Sequence, residues 1–481
     1  MRLQPWETEL SSENGSMGGE RRYCIIGAGY AGLGIAKALN DAGIAYDQFE
    51  KNAYIGGNWA DGVYDSTHII SSRDSTAYEE LPMPEDYPDF PSKAQMLAYL
   101  ESYTDHFGLR DRIEFETEVV RVEPLDENGM AGWRVTLGGG GSRDYAGVLV
   151  CNGHHWAIRK PDYPGEFTGK QLFGKEYKNP NDFEGERVLV VGSGNTGCDI
   201  AVEAGHTFGR SWISMRRGDW ILPKTLFGIP VAELDRPIFP LWAQKQFLKA
   251  MVKIVFGSYE RYGLPKPDYD LFDKHPIVNS QLLYHLRHGV VQPRPGIERI
   301  DGKTVRFADG RSEEFDTIVW ATGYDAHFPF LDEGMFEWEN GLPKLVGPHV
   351  PGKANLFVFG LLQPRGGAGP LISAGARLMA NTIRVQQKLD RPIVNVLQQL
   401  REPTTDILVG VSETMRQIKL AELGLRRMER ALDRGEQPPP PPAIARLVAR
   451  VQQHGLKGLA AAHSQSTNGS TPAPERDKVP A

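Results

Sequence analysis

The stretch Tyr23–Leu39, YCIIGAGYAGLGIAKAL, determines the fold of the first half of the chain. Its first four residues predict a short buried strand, and Gly27–Gly32 then follows the G-x-G-x-x-G pattern before a helix. In such a turn the glycines permit a sharp bend, close approach of a pyrophosphate and close helix–strand packing. The helix N-terminus adds free N–H groups and a positive dipole end. The predicted phosphate-binding residues are Gly27, Gly29, Tyr30, Ala31 and Gly32; an ordinary glycine-rich turn is the alternative.

An acidic residue follows at the spacing that a ribose-binding site requires. The stretch Ala45–Phe49 predicts a second strand, and Glu50 comes directly after it, about 23 residues beyond Gly27. The usual spacing is roughly 20 residues, and the acid accepts hydrogen bonds from ribose hydroxyls. We therefore predict that Glu50 and the adjacent Lys51 belong to a dinucleotide site.

The same arrangement occurs again about 165 residues later. The buried run Arg187–Val191 leads into GSGNTG and a predicted helix over Cys198–Ala204. A further strand, Ser211–Met215, ends at Arg216 and Arg217, where the first unit has Glu50. Glutamate suits a ribose 2′-OH, whereas arginine suits a 2′-phosphate. We infer that the first unit binds FAD and the second binds NADPH through Gly192, Ser193, Gly194, Asn195, Thr196, Gly197, Arg216 and Arg217; a solvated arginine pair is the alternative.

Composition excludes several other classes of protein. The chain has 481 residues and a formal net charge of −7, which disfavours non-specific nucleic-acid binding. Its three cysteines form no C-x-x-C pair, so we predict no disulfide framework, thiol redox motif or metal site, and a cytoplasmic location. No run reaches the roughly 18 apolar residues that a membrane span needs. The nearest, Ile238–Phe256, carries lysines at i,i+4 spacing and predicts a helix packed on its own domain.

Smaller signals organise the remaining sequence. Ser92 is predicted to cap a helix over about Lys93–Phe107. The stretches Ile113–Val122, Trp133–Leu137 and Gly147–Val150 predict an antiparallel meander that returns to a core strand. Asp309-Gly310 predicts a hairpin turn between Thr304–Phe307 and Thr317–Trp320. A glycine-rich loop, Arg365–Pro370, opens a predicted helix over Leu371–Lys388, where its dipole end suits an electron-rich ring edge.

Taken together, the segments resemble the flavin-containing monooxygenase family, among the class B flavoprotein monooxygenases with two dinucleotide-binding domains. The matching segments lie between about Arg22 and Gln386: GAGYAG with Glu50, Gly56–Trp59, PMPEDYPDFPS, Cys151–His154, Pro164–Lys178, GSGNTG with its arginines, and Ala321–Tyr324. The resemblance implies an α/β fold of two Rossmann-like domains, in which the NADPH domain interrupts the FAD domain, with a mostly helical insertion and a helical C-terminal tail. The predicted parts are a disordered leader (1–20), a first FAD part (21–180), the NADPH domain (181–318, insertion 218–289), a second FAD part (319–400), a helical extension (401–455) and a disordered tail (456–481).

The resemblance also implies further site residues. It adds Gly57, Asn58, Trp59, Val119, Thr322, Gly323 and Gln363 to the cofactor-binding set. Two positions depart from the family pattern, because Phe173 stands where the fingerprint has histidine and Ile70 where many members have asparagine near the reactive flavin carbon. Ser72 and Arg73, beside Ile70, are the predicted catalytic residues.

The implied reaction uses FAD, NADPH and O2 to oxygenate nitrogen or sulfur in a small-molecule substrate through a C4a-hydroperoxyflavin. Baeyer–Villiger oxygenation of a ketone is the alternative, and Arg73 or Arg365 would supply the cation which that chemistry needs. A flavin disulfide reductase is disfavoured by the missing C-x-x-C, and a non-catalytic nucleotide-binding protein would not bleach added FAD with NADPH. A homodimer is possible.

Overall fold

The computed structural model describes residues 21–234 and 240–435. The predicted leader (1–20), the predicted tail (456–481) and residues 436–455 of the predicted helical extension lie outside these ranges. The part of the predicted extension that is described contains one long helix, Val411–Asp433, which packs along the helix Gly369–Gln386.

A five-stranded parallel sheet, here called the first sheet, is built around Tyr23–Ile26. Its order is Leu356–Val358, Gly147–Val150, Tyr23–Ile26, Tyr46–Phe49 and Ile113–Glu114. All four residues of the central strand are buried, as its apolar sequence predicts. The helix Tyr30–Asp41 follows it and packs against Gly369–Gln386, where Gly34 leaves room for Ile372.

The second sheet repeats this plan. Its order is Lys170–Phe173, Thr317–Trp320, Val188–Val191, Ser211–Ser214 and Val291–Arg294, with all pairings parallel. The helix Asn195–Phe208 follows the central strand and is longer than the predicted Cys198–Ala204. The sheet takes a strand from before residue 181, and Thr317–Trp320 spans the predicted boundary at 318/319. The division into domains therefore stays a prediction, with these two boundaries inconsistent with the strand pairing.

Two smaller sheets, one antiparallel and one mixed, correct details of the sequence analysis. The predicted stretch Ile113–Val122 is divided, because Ile113–Glu114 joins the first sheet while Val119–Pro124 pairs with Trp133–Leu137 and then Ser142–Tyr145. The turn at Asp309-Gly310 is present, but it connects Thr304–Phe307 to Ser312–Glu314. The fully buried strand Thr317–Trp320 lies in the second sheet instead, since an apolar strand is more stable between two neighbours than at an exposed hairpin edge. The strands Thr304–Phe307 and Ser312–Glu314 belong to a four-stranded sheet, which Ile297–Gly302 and Gly165–Phe167 complete.

The helices outside the two parallel sheets lie close to the predicted positions. Lys93–His106 begins at Ser92, whose side chain forms the predicted cap in a reciprocal capping box with Gln95. The insertion contains the helices Leu241–Val255 and Gln281–Arg287, the one-turn helices Val231–Leu234 and Tyr259–Tyr262, and the short strands Ile221–Leu222, Thr225–Leu226, Ile229–Pro230 and Ile277–Val278. It is therefore mixed in structure, with more helix than strand.

The lysine-striped helix Leu241–Val255 packs on its own domain, as predicted. Lys245 and Lys249 both reach Asp270, while Leu248 and Val252 are buried. Three other apolar residues of this helix, Leu241, Phe247 and Val255, are exposed. Of the described helices, none is long and apolar enough to cross a membrane.

Candidate active site

The turn after Tyr23–Ile26 is a cradle whose first and third glycines, Gly27 and Gly32, leave no room for a side chain. Gly27 has φ of +103°, and a Cβ on it would lie 2.7 Å from the Cys151 carbonyl oxygen. A Cβ on Gly32 would lie 2.1 Å from the Gly27 oxygen. The helix Tyr30–Asp41 begins after Gly29 with no side-chain cap and no acidic residue in its first turn. Its N-terminal N–H groups are thus suited to an anion such as a pyrophosphate.

Glu50 lies at the end of the neighbouring strand and is buried. Its Oε2 accepts from the Ala28 N–H at 2.8 Å, and its Oε1 accepts from the backbone and side chain of Asn52, each at 3.0 Å. A carboxylate oxygen has two acceptor sites, so Oε2 keeps one for a ribose hydroxyl. The residue therefore holds the turn and is also able to bind a nucleotide.

The loops around this cradle bring several predicted residues together. A Cβ on Gly57 would lie 3.1 Å from the Gly29 Cα, so the two backbones are adjacent. Asn58 begins a π-helical turn, Asn58–Gly62, and the Trp59 side chain packs on the core of this unit. Gly360, which the sequence analysis missed, has φ of +87° and faces Ala31. Its signal was its position directly after the buried strand Leu356–Val358.

The second cradle has nearly the same geometry as the first. Gly192 has φ of +120°, and a Cβ on it would lie 2.2 Å from the Ala321 oxygen. A Cβ on Gly197 would lie 2.3 Å from the Gly192 oxygen, whereas a Cβ on Gly194 would meet nothing within 4 Å. Cys151 and Ala321 are thus equivalent, since each follows the strand next to its motif. The open space beside Gly194 fits the approach of a second pyrophosphate.

The side chains inside the second motif are partly used within the protein. Ser193 donates a short hydrogen bond to Asp219, and the Asn195 Oδ1 accepts from the Val278 N–H at 2.9 Å. Arg216 and Arg217 follow the strand Ser211–Ser214 and are exposed. Their position at the carboxyl end of that strand corresponds to the position of Glu50 in the first unit.

The remaining predicted cofactor residues lie in several different elements of the fold. Thr322 and Gly323 follow the second sheet's strand Thr317–Trp320; the Thr322 hydroxyl donates to the Arg159 oxygen at 2.6 Å. Val119 is buried in the three-stranded sheet, and Gln363 is in a short strand pairing with Leu408–Val409. Lys51 is exposed, with its Nζ 5.7 Å from the centre of the Trp156 ring.

Ser72 and Arg73 make structural contacts. The Ser72 hydroxyl caps the short helix Arg73–Thr76, accepting from the Ser75 N–H at 3.2 Å. The Arg73 guanidinium donates to the Glu85 and Tyr87 oxygens, at 2.8 and 3.0 Å, and so anchors the proline-rich segment. A catalytic role for either residue stays a prediction without support from these contacts. Of the four residues at 70–73, Ile70 and Ser71 are the ones that line a cavity.

This cavity, called here the central cavity, has a volume of about 40 Å³. Its lining is mainly apolar and includes one charged side chain, Arg365. The lining residues are Ile70, Ser71, Leu222, Val231, Ala232, Leu248, Phe272, His275, Pro276, Val278, Pro364, Arg365 and Gly366. It therefore joins the segment that the sequence analysis placed near the flavin with residues of the insertion.

Residues of the matching segment Pro164–Lys178, from Phe167 to Tyr177, stabilise the second unit. A Cβ on Gly169 would lie 2.5 Å from the Asp316 oxygen, so this position needs glycine. Phe173 ends the strand beside Trp320 and packs against its cluster. The Tyr177 hydroxyl donates to Glu203 in the helix Asn195–Phe208 at 2.8 Å.

Two partly buried histidines, His154 after the first sheet and His275 in the lining of the central cavity, are neutral. Burial, aided by the neighbouring His155, lowers the pKa of His154 to about 3, and its Nε2 has no hydrogen-bond partner within residues 21–234 and 240–435. Burial also lowers the pKa of His275, whose Nδ1 lies 2.9 Å from the Pro276 oxygen. The same part of the chain contains no cluster of three or more metal-ligating side chains.

Comparison with known proteins gives consistent matches. Residues 20–420 match the family described as flavin-binding monooxygenase-like. The chain is 33% identical to flavin-containing monooxygenase 5 of Oryctolagus cuniculus, over 74% of this chain and 72% of the relative. A flavin-containing monooxygenase from Stenotrophomonas maltophilia has a similar structure, with a TM-score of 0.58 and 22% identity over 76% of this chain and 98% of that one. A cyclohexanone monooxygenase variant from Rhodococcus sp. Phi1, bound to NADP+, is also similar in structure. Its TM-score is 0.61, with 20% identity over 76% of this chain and 86% of that one.

Proposed function

Since the chain belongs to the flavin-binding monooxygenase-like family, with FAD and NADPH as the cofactors of its reaction, we propose that it transfers one oxygen atom from O2 to a nitrogen or sulfur atom of a small organic substrate. FAD is bound at the first cradle and NADPH at the second. The observation that carries this assignment is the pair of matching cradles with different residues at the ribose positions, Glu50 in one and Arg216 in the other.

The residues present fit these two groups. In each unit the first and third glycines leave no room for a Cβ, and the helix N-terminus has no competing cap. Glu50 keeps one acceptor site for a ribose hydroxyl, whereas the exposed Arg216 and Arg217 suit a 2′-phosphate. Among the predicted cofactor residues, Val119 lies in the three-stranded sheet and Lys51 beside Trp156, so their positions give the least support for a contact with either cofactor.

When bound, reduced FAD activates O2 and NADPH supplies the reducing hydride; the protein supplies binding, orientation and exclusion of water. The central cavity provides the last of these. Its mainly apolar lining, from Ile70 through Leu222 and Phe272 to Val278, offers few hydrogen bonds to water. Excluding water limits the loss of activated oxygen as hydrogen peroxide. No side chain of the chain is required as a nucleophile, in keeping with the neutral His154 and His275.

The test is isotopic. Purified protein carrying FAD is supplied with NADPH, ¹⁸O2 and methyl phenyl sulfide, and the sulfoxide is analysed by mass spectrometry. The proposal expects one labelled oxygen atom in each sulfoxide molecule and consumption of one NADPH for each product molecule. Unlabelled sulfoxide, or NADPH oxidation that yields only peroxide with every amine and sulfide tried, would contradict it.

A second candidate function, Baeyer–Villiger oxygenation of a ketone, is favoured by the position of one arginine. Arg365 lines the central cavity and could supply the cation that this chemistry needs, whereas Arg73 is bound to the proline-rich segment. Offering cyclohexanone and methyl phenyl sulfide together separates the two candidates, because one gives a lactone and the other a sulfoxide. The homodimer and the cytoplasmic location stay predictions.

A further inference from the structure

The central cavity contains a cation without a counterion. Arg365 lines the cavity, and its Nε is buried with no hydrogen-bond acceptor among residues 21–234 and 240–435. No aspartate or glutamate belongs to the lining, and no carboxylate in the described chain forms an ion pair with this guanidinium. The Arg365 side chain as a whole is half-buried, but its buried Nε–H donor is costly to leave without an acceptor. The site thus lacks the anion that would compensate it.

The guanidinium is held in place by its neighbours. Its central carbon lies 5.3 Å from the centre of the Phe272 ring, within cation–π distance. Phe272 has φ of +71°, a strained conformation for a bulky side chain, and such strain concentrates at functional sites. A Cβ on Gly410 would lie 2.1 Å from an Arg365 terminal nitrogen, so the side chain passes against glycine backbone. These contacts position the cation at the cavity.

The lining adds no negative charge, and the first turn of the helix Val411–Asp433 carries one carboxylate, Glu413. Gly410 is the N-cap of the long helix Val411–Asp433, so the positive end of that helix dipole lies beside the guanidinium. His275, the other titratable group of the lining, is neutral because burial lowers its pKa. Ser71 is uncharged and its hydroxyl lies 2.6 Å from that of Thr76. The cavity volume of about 40 Å³ exceeds the roughly 10–15 Å³ that one ordered water needs, so a small anionic group fits.

We propose that Arg365 binds the anionic end of the substrate, so that the preferred substrates are small organic acids, carboxylates or sulfonates, which carry the oxidisable nitrogen or sulfur a few bonds away. This inference rests on the proposed function and narrows its substrate class. Arg365 is then a specificity-determining residue, because a neutral analogue leaves the guanidinium without a counterion and its buried Nε without an acceptor.

The experiment compares 3-(methylsulfanyl)propanoate with its methyl ester, which differ in charge and share the reacting sulfur. The wild-type protein is expected to give a kcat/KM at least about tenfold higher for the acid. Arg365→Met should lower kcat/KM for the acid by about 10- to 100-fold and change the ester by less than about threefold. Arg365→Lys should keep part of the preference. Arg121→Met, at an exposed arginine of the three-stranded sheet, is the control and should change neither value.

A second variant moves the charge without removing it. Gly410→Ala puts a methyl group where the guanidinium end lies, and Gly410 has φ of −83°, which alanine tolerates. We expect a smaller loss of acid preference than in Arg365→Met, with an unchanged ratio of flavin to protein absorbance. The KM for NADPH should stay constant in both variants. A rise in that KM would assign Arg365 to the coenzyme phosphate and overturn the proposal.

Ligand binding separates failure of this inference from failure of the proposed function. Pentanoate, which cannot be oxygenated, should raise the Tm of the wild-type holoprotein but not that of Arg365→Met. If neither thioether is oxygenated and pentanoate still gives this difference, the proposed function is wrong and the anion site stands. If acid and ester are oxygenated equally and pentanoate has no effect, the proposed function stands and the anion site is wrong.

Discussion

Arg216 is the residue on which the proposed preference for NADPH over NADH depends. It is exposed at the carboxyl end of the strand Ser211–Ser214, where a 2′-phosphate would have access to it. Because a charge-assisted bond to phosphate is lost, Arg216→Ala should raise the KM for NADPH about tenfold or more and leave that for NADH nearly unchanged. Arg210→Ala, at an exposed arginine before the same strand, is the control. Equal effects on both coenzymes would show that Arg216 does not contact the 2′-phosphate.

His349 gives a pH prediction that does not depend on the cofactors. Burial lowers its pKa to about 4, and its Nδ1 lies 3.0 Å from the Val346 oxygen. In the unfolded chain a histidine has a pKa of about 6.5, so the unfolded state binds the proton first as the pH falls. The free energy of unfolding should therefore decrease by about 2 kcal/mol from this group between pH 7 and pH 5.

The measurement is urea unfolding of the wild-type protein and His349→Gln at both pH values. The variant is less stable at pH 7, since it lacks the packing against Phe357, but its stability should fall less between the two pH values. If the two proteins lose the same free energy on acidification, His349 is not protonated on unfolding in that range.

At the scale of the element, different glycines of the strand–turn–helix motif serve packing and cofactor binding. In the second motif Gly197 faces the Gly192 oxygen, whereas Gly194 faces open space and has backbone angles that alanine adopts. Gly197→Ala should therefore lower the Tm, because strand and helix must move apart. Gly194→Ala should leave the Tm and the flavin content unchanged and raise the KM for NADPH about tenfold or more, because its methyl group occupies the space of the pyrophosphate.

The two variants test each other. A Gly194→Ala protein with normal use of NADPH would show that the pyrophosphate does not approach that glycine. A Gly197→Ala protein with an unchanged Tm would show that the close packing seen at the Gly192 oxygen is not needed. Both results are read from a thermal melt and a steady-state titration of NADPH.

These motifs were predictable because their information is local. A strand, a turn and a helix follow one another within about 20 residues, and the residue type at each position has a steric reason. The cap at Ser92 is equally local and was predicted correctly. The partner of Thr304–Phe307 was predicted wrongly, because strand pairing depends on which distant neighbour buries an apolar strand. Thr317–Trp320 pairs with Val188–Val191, and Thr304–Phe307 pairs with Ser312–Glu314.

The central cavity shows the limit of sequence reasoning at the scale of the whole molecule. Its lining comes from segments near residues 70, 222, 272 and 365, so no window of sequence contains it. Ile70 and the possible cation Arg365 were identified from the sequence, but the predicted catalytic residues Ser72 and Arg73 do not belong to the lining, whereas Ser71 does. The capping bonds of Ser72 and the carbonyl contacts of Arg73 depend on a short helix that no periodicity indicated.

The two units are connected by a polar clamp between the loop at 61–67 and the helix Asn195–Phe208. The Tyr64 hydroxyl donates to the buried Asp199 at 2.6 Å, and the Ser66 hydroxyl donates to Glu203 at 3.1 Å. Burial raises the pKa of the Asp199 carboxyl, which also accepts from Asn279 at 2.6 Å. In the sequence the clamp residues Tyr64 and Ser66 come just before Ile70 and Ser71, which line the central cavity, so the clamp fixes the second unit against the proposed site of oxygen transfer.

Tyr64→Phe removes the donor to Asp199 and keeps the ring in its buried position. We expect a loss of about 1–2 kcal/mol in the free energy of unfolding, because a buried acceptor loses a partner. The flavin content should not change. The fraction of NADPH oxidised without product should rise, since a looser second unit admits water to the cavity. The measurements are product yield per NADPH and hydrogen peroxide release with methyl phenyl sulfide.

Tyr54→Phe is the matched control, because Tyr54 is exposed and donates to Asp61 at 3.0 Å within the adjacent loop. It should lose neither stability nor coupling. If Tyr64→Phe lowers the Tm but keeps the wild-type product yield per NADPH, the clamp is structural and water exclusion is set elsewhere. If it leaks peroxide at unchanged Tm, the clamp controls the position of the second unit without contributing to global stability. A link between the clamp and the coupling of NADPH oxidation to oxygen transfer is supported only if Tyr64→Phe releases more peroxide, with or without a lower Tm.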